Sequence, residues 1–143
     1  MTITDKEIYN NRLKWIEYLK RPETKKFTEN LENPEDPEAR CCLGHACHVL
    51  APETRNLDND GDVLYGDDVA FLPDSLVEQL GMWTYEGGAN DRDIFADLGY
   101  RACCLSVLND NTDISPQEIG EYLQTVIMGG EHTPFTKINP EAI

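Results

Sequence analysis

The chain has 143 residues, 27 Asp plus Glu against 12 Lys plus Arg, and a formal charge of −15. That length and a hydrophobic share of 40% argue for one domain that buries its own core without metal or disulfide staples. So acidic a chain repels phosphate backbones and anionic lipid, which argues against direct nucleic-acid or membrane-surface binding, and no stretch reaches the roughly 18 apolar residues of a membrane span.

The opening MTITDKEIYNN has neither a basic start nor an apolar run, so no secretory leader is expected and the expected location is cytoplasmic. From Thr4 to Lys20 the spacing predicts an amphipathic helix, with Ile8, Leu13 or the stem of Arg12, Trp15, Ile16 and Leu19 on one face. Thr4 and Glu7 form a capping-box pattern at its start, and Pro22 stops it. Residues 22–40 contain three prolines and read as a loop with at most one short strand around Lys26 to Thr28. Arg40 to Leu50, RCCLGHACHVL, reads as a short buried helix with Cys42, Leu43, Ala46, Val49 and Leu50 inward. Gly44 would weaken that helix by about 1 kcal/mol relative to Ala, which implies a close packing contact there.

Val63 to Tyr65 and Val69 to Phe71 are β-prone runs that predict a small hairpin. Pro73 opens a two-turn helix that carries Leu76, Val77 and Leu80 and ends at Gly81. Met82 to Tyr85 reads as a short strand and Gly87 to Asn90 as a loop. A helix is expected over Asp97 to Asn109. The next begins on Ser115, Pro116, Gln117 and Glu118, which combine a capping box with a first-turn proline, and buries Ile119, Leu123 and Val126. Residues 1–128 then form a single α+β domain of four to five short helices with a small antiparallel hairpin or sheet. Residues 129–143 are expected to be a C-terminal arm, exposed or disordered.

The charge is uneven. Residues 1–40 hold eight basic and nine acidic side chains, whereas residues 41–143 hold four and eighteen, a net of −14. The densest stretch, Glu53 to Asp97, has twelve acids against Arg55 and Arg92. Such a field can be a solvated face, a cation site, or a surface complementary to a basic partner, imitation of DNA being a special case. The candidate partner-binding acids are Asp58, Asp60, Asp62, Asp67 and Asp68, with Arg92 and Arg101 as the unusual cations of that region.

Five cysteines, Cys41, Cys42, Cys47, Cys103 and Cys104, are an odd set of two vicinal pairs and a single. They read as reduced thiols that pack as small hydrophobes. Cys41, His45 and His48 fall at i, i+4 and i+7, on one helical edge, and with Cys103 or Cys104 could supply the tetrahedral nitrogen and sulfur set that zinc takes. The chain lacks the second ligand pair usual for structural zinc, so packing is the competing account. A thiol nucleophile would pair Cys41 with His45, or Cys104 with His132, and no orienting residue suggests itself. Asn56, Asp58, Asp60, Gly61, Val63 and Asp67 partly match a calcium loop, but Asn at the first position and Asp at the last weaken the match. An acidic hairpin turn is the simpler reading. A carboxylate pair, Asp91 and Asp93, is a further catalytic option. No phosphate-binding glycine loop, nucleophile elbow or HExxH is present.

The motif order is CCLG at Cys41 with Cys47 beyond it, LPDSLVEQLG from Leu72, LSVLNDN from Leu105, and SPQEIGEYL from Ser115. It resembles a family of small uncharacterised bacteriophage proteins over roughly residues 10 to 128. His45, His48 and the Cys103, Cys104 pair depart from that pattern. The resemblance implies a phage gene expressed in a bacterial cytoplasm and no particular activity. The function expected is therefore that of a non-enzymatic phage accessory protein that binds and modulates a host protein with a basic surface. The alternative is a small-molecule or metal binder, including a nucleotide-signal sponge in which Arg40, Arg92 and Arg101 converge.

Overall fold

The chain is described by a computed structural model over residues 2–89 and 94–143. Helix α1 (Asp5–Lys20) starts where Thr4 accepts the Glu7 N–H through its hydroxyl at 3.1 Å. Its buried stripe is Ile8, Arg12, Trp15, Ile16 and Leu19. Arg12, not Leu13, therefore faces inward. This helix packs against α2 (Cys42–Leu50), α3 (Asp74–Leu80) and α5 (Pro116–Thr125), and α4 (Leu105–Asn111) closes on α2. Leu43, Leu76, Leu80, Leu105, Leu108, Ile119 and Leu123 fill the space between them. At the α1–α5 crossing a Cβ on Gly120 would meet Leu19 Cβ at 3.1 Å and Ile16 O at 3.2 Å, so the two helices pack backbone to backbone there.

Residues 22–40 are more ordered than a loop. Strands β1 (Lys25–Lys26), β2 (Glu32–Asn33) and β3 (Asp36–Arg40) form a mixed sheet in the order β1-β3-β2, with β1 parallel and β2 antiparallel to β3. Pro37 fits in the central strand because β1 pairs only with Ala39 and Arg40 and asks nothing of its missing N–H. The second sheet is an antiparallel hairpin of β4 (Arg55–Leu57) and β5 (Val63–Tyr65). Its partner strand thus lies upstream of β5, and Val69 to Phe71 forms no strand. Met82 makes only a single bridge, to Phe135. The architecture is α+β, and among the described residues no helix is long and apolar enough to cross a membrane.

Two further expectations change. The helix expected from Asp97 begins at Leu105, because Gly99 in the left-handed region (φ 83°) ends a short 3-10 turn at Ala96–Leu98. The C-terminal segment is no free arm. Phe135 is fully buried, edge-on to Trp15 with ring centroids 6.1 Å apart, and Ile138 is 3% exposed. Arg12 ties this segment down. Its guanidinium donates to the carbonyls of Leu80, Gly81, Ile127 and Thr136 at 2.6–2.9 Å and lies 4.3 Å from the Phe135 ring centroid. Burial lowers its pKa to about 10, with Asp5 opposing the shift. The ends of α3 and α5 supply three of those carbonyls, where helix dipoles favour a cation.

Candidate functional site

The acidic candidates sit on the β4–β5 hairpin and the loop after it. Asn56 and Leu57 pair across to Leu64 and Val63, leaving residues 58–62 as the turn, with Gly61 at φ 86°. Asp58 organises that turn, because its Oδ1 accepts the N–H groups of Asp60 and Asp62, both at 2.9 Å. The twelve-residue frame read as a partial calcium loop is therefore folded into a hairpin, with its first position in β4 and its last beyond β5. Asp60 and Asp67 are exposed, and Asp62 and Asp68 half-buried. Burial, then Asp74 and Asp67, push the Asp68 carboxyl above its ordinary range, which marks three crowded carboxylates. Exposed Leu57 comes from β4, and exposed Trp83 and Tyr85 follow α3. Phe71 packs edge-on to Tyr85 at 5.2 Å, which brings the loop after β5 beside that ring, whereas the Trp83 indole N–H donates to Gly130 O at 3.3 Å.

Behind the hairpin lies a polar cluster that sequence reasoning missed. Glu32 of β2 is buried, and its Oε1 accepts from Arg40 Nε of β3 (3.0 Å) and from the Tyr65 hydroxyl of β5 (2.6 Å). Its Oε2 accepts from Arg55 of β4, Nε at 2.8 Å and Nη2 at 2.7 Å. One carboxylate thus joins the two sheets. Burial alone would raise its pKa, but the hydrogen bonds of Arg55, Tyr65 and Arg40 outweigh this and hold it below the usual carboxylate range. Tyr65 is correspondingly pushed up, by burial and then by Glu32. A carboxylate held ionised with both oxygens engaged is a structural link, not a poised acid or base. Glu32 is one of five acids between Glu29 and Glu38, so nothing local singles it out or points to Arg55 or Tyr65 as its partners.

The Cys41, His45 and His48 edge is dispersed. Cys41 is the N-cap of α2, not part of it, and its Sγ accepts the Gly44 N–H at 3.3 Å, so helical spacing does not apply to it. Burial raises its thiol pKa to about 12. His45 is fully buried, and its Nε2 donates to the Lys25 carbonyl at 2.6 Å, which leaves Nδ1 buried without a partner. Burial lowers its pKa to about 4. His48 is half-buried against Tyr18, ring centroids 5.5 Å apart. Among the described residues no three His, Cys, Asp or Glu side chains are gathered as a metal-ligating group. The proposed Cys41 and His45 nucleophile pair is closed to solvent, with Cys41 4% exposed.

Of the three arginines, the two described ones, Arg40 and Arg101, do not share a site. Arg40 is buried on Glu32, whereas Arg101 is exposed and lines an open depression with Ala96, Gly99 and Tyr100. Arg92, Asp91 and Asp93 lie outside the described residues. No family model, curated protein or solved structure matches the chain.

Proposed function

We propose that this is a non-enzymatic accessory protein whose acidic surface holds a basic region of a host protein, the host being a bacterium on the strength of the phage-like motif order. The observation that carries the reading is the fate of Arg55. From Glu53 to Glu86 it is the one basic side chain against nine acids, and its guanidinium is spent on Glu32, outside that run. None of those nine acids takes part in the ion pairs found among the described residues. The field is therefore less compensated than the sequence count suggests, and three of its acids, Asp58, Asp60 and Asp62, lie on a turn that Asp58 braces with two hydrogen bonds. Exposed Leu57 and Tyr85 add apolar area, and the Tyr85 ring face suits an arginine guanidinium group.

Such a surface steers a cationic partner and makes its binding strongly salt-dependent. Tagged protein expressed in a bacterial host should retain a stoichiometric basic partner at low ionic strength and release it as salt rises. Recovery of no enriched partner, or of one indifferent to salt, would contradict the reading.

A further inference from the structure

Four of the five cysteines, Cys41, Cys42, Cys47 and Cys104, are buried, and burial pushes their thiols up. Cys103 is exposed, and its Sγ lies 3.6 Å from that of Cys104. The backbone around the pair is pinned. Gly88 bridges to Cys104, the Leu105 N–H donates to Gly87 O at 3.0 Å, and the Ser106 N–H donates to Glu86 O at 3.1 Å. A Cβ on Gly88 would meet Cys103 O at 3.1 Å and Cys104 Cβ at 3.2 Å. Glu86 Oε2 lies 3.7 Å from the Cys104 sulfur, and Ser106 Oγ lies 3.3 Å from it.

We infer that Cys103 and Cys104 form a reversible thiol–disulfide site, closed by peroxide and reopened by thiols. Cys103, the accessible member, attacks one oxygen of the peroxide as thiolate. The O–O bond breaks, Cys103 becomes a sulfenic acid, and the second oxygen leaves as hydroxide and is protonated to water. Cys104, its S–H directed at Glu86 Oε2, then attacks the Cys103 sulfur. The S–O bond breaks, the S–S bond forms, and the departing hydroxide takes the Cys104 proton as the second water. Two thiols lose two electrons and one peroxide gains them.

Adjacent Cα atoms lie about 3.8 Å apart across a trans peptide, nearer than the roughly 4.4–6.8 Å of ordinary disulfides. The ring so formed is strained, which makes the bond readily reducible and suits it to a reversible modification rather than a structural staple.

The test is thiol counting and intact mass on the full chain under denaturing conditions, after treatment with a molar excess of hydrogen peroxide. Free thiols should fall from five to three, with the loss of two hydrogens in mass, peptide mapping should place the bond at Cys103 and Cys104, and glutathione should reverse it. Cys104→Ser should instead accumulate a dimedone-reactive sulfenic acid at Cys103. Five retained thiols, oxygen added at Cys103 with Cys104 still free, or disulfide-linked dimers through Cys103 would each overturn the inference. So would a two-thiol loss unchanged in Cys104→Ser.

Discussion

At Gly44 helix propensity and packing pull in opposite directions. Alanine would favour the isolated helix by about 1 kcal/mol, yet a Cβ there runs into the backbone carbonyl of Leu31, which no rotamer can relieve. Gly44→Ala should therefore destabilise by about 1–3 kcal/mol in urea unfolding, and a stabilised variant would mean that α2 and the chain at Leu31 are not in contact. Glu32→Gln removes the charge that balances Arg40 and Arg55, and should cost about 3–5 kcal/mol. His45 sets a pH window. Burial chiefly, aided by the Arg40 and His48 charges and opposed by the Lys25 carbonyl and Glu32, holds its pKa at about 4 against an ordinary 6.5. The unfolded chain takes a proton near pH 6.5 that the folded chain refuses until about pH 4. Stability from this residue is thus complete above the upper value and is lost as pH falls toward the lower one, by up to about 3 kcal/mol. Unfolding curves across that range should flatten in His45→Phe, and an unchanged slope would show that His45 is not the group responsible. Gly44 was readable from sequence because a glycine inside an apolar helix needs a reason. Glu32 and the Nε2 of His45 were not, since their partners come from β3, β4, β5 and β1.

The elements divide by how local their causes are. Helices α1 and α5 are legible because Thr4 with Glu7, and Ser115 with Glu118, act within one turn, and the structure shows both caps in use, Ser115 as a full capping box. Strands β1 and β2 have two residues each, too few to display alternation, and they exist because β3 offers them a ladder. Strand β5 is legible but its partner is not, because its mate, RNL, is exposed throughout and carries no apolar pattern. At α4 the apolar spacing runs on past the true helix start, across Gly99. Asn109, part of the LSVLNDN run, acts beyond its own helix. Its Oδ1 accepts the Cys42 N–H at 3.2 Å and its Nδ2 donates to Phe27 O at 2.8 Å, so it caps α2 from α4. The burial of the tail is not legible in the sequence because Phe135 and Ile138 stand alone among polar residues, and Phe135 is covered by Arg12 and Trp15 of α1 and bridged to Met82, all far away in the chain. Phe135→Ala should cost about 3–5 kcal/mol, and removal of residues 130–143 should leave the Arg12 guanidinium short of one carbonyl and the chain markedly less stable in thermal unfolding. Truncation without loss of stability would restore the picture of a free arm.

At the scale of the molecule, the sequence placed nearly all of the −15 charge after residue 40. It could not show which cations are consumed inside the fold. Arg12 is solvated by carbonyls, Lys26 donates to the Thr112 and Ile114 carbonyls just past α4, and Arg40 and Arg55 share Glu32. Much of the positive charge thus serves as internal fastening, and the acids around the β4–β5 hairpin are left to face solvent. We propose that this face, and not net charge in general, binds the partner. The direct measurement is calorimetric titration of the captured partner with two variants of equal charge. D60N/D62N/D67N removes three charges from the face while keeping Asp58, which builds the turn. E35Q/E121Q/E131Q neutralises three exposed acids elsewhere. The first should weaken binding by about tenfold or more, about 1.4 kcal/mol, and reduce its salt dependence, while the second stays within about twofold of the unaltered protein. Equal losses in the two variants, or none in the first, would contradict the claim.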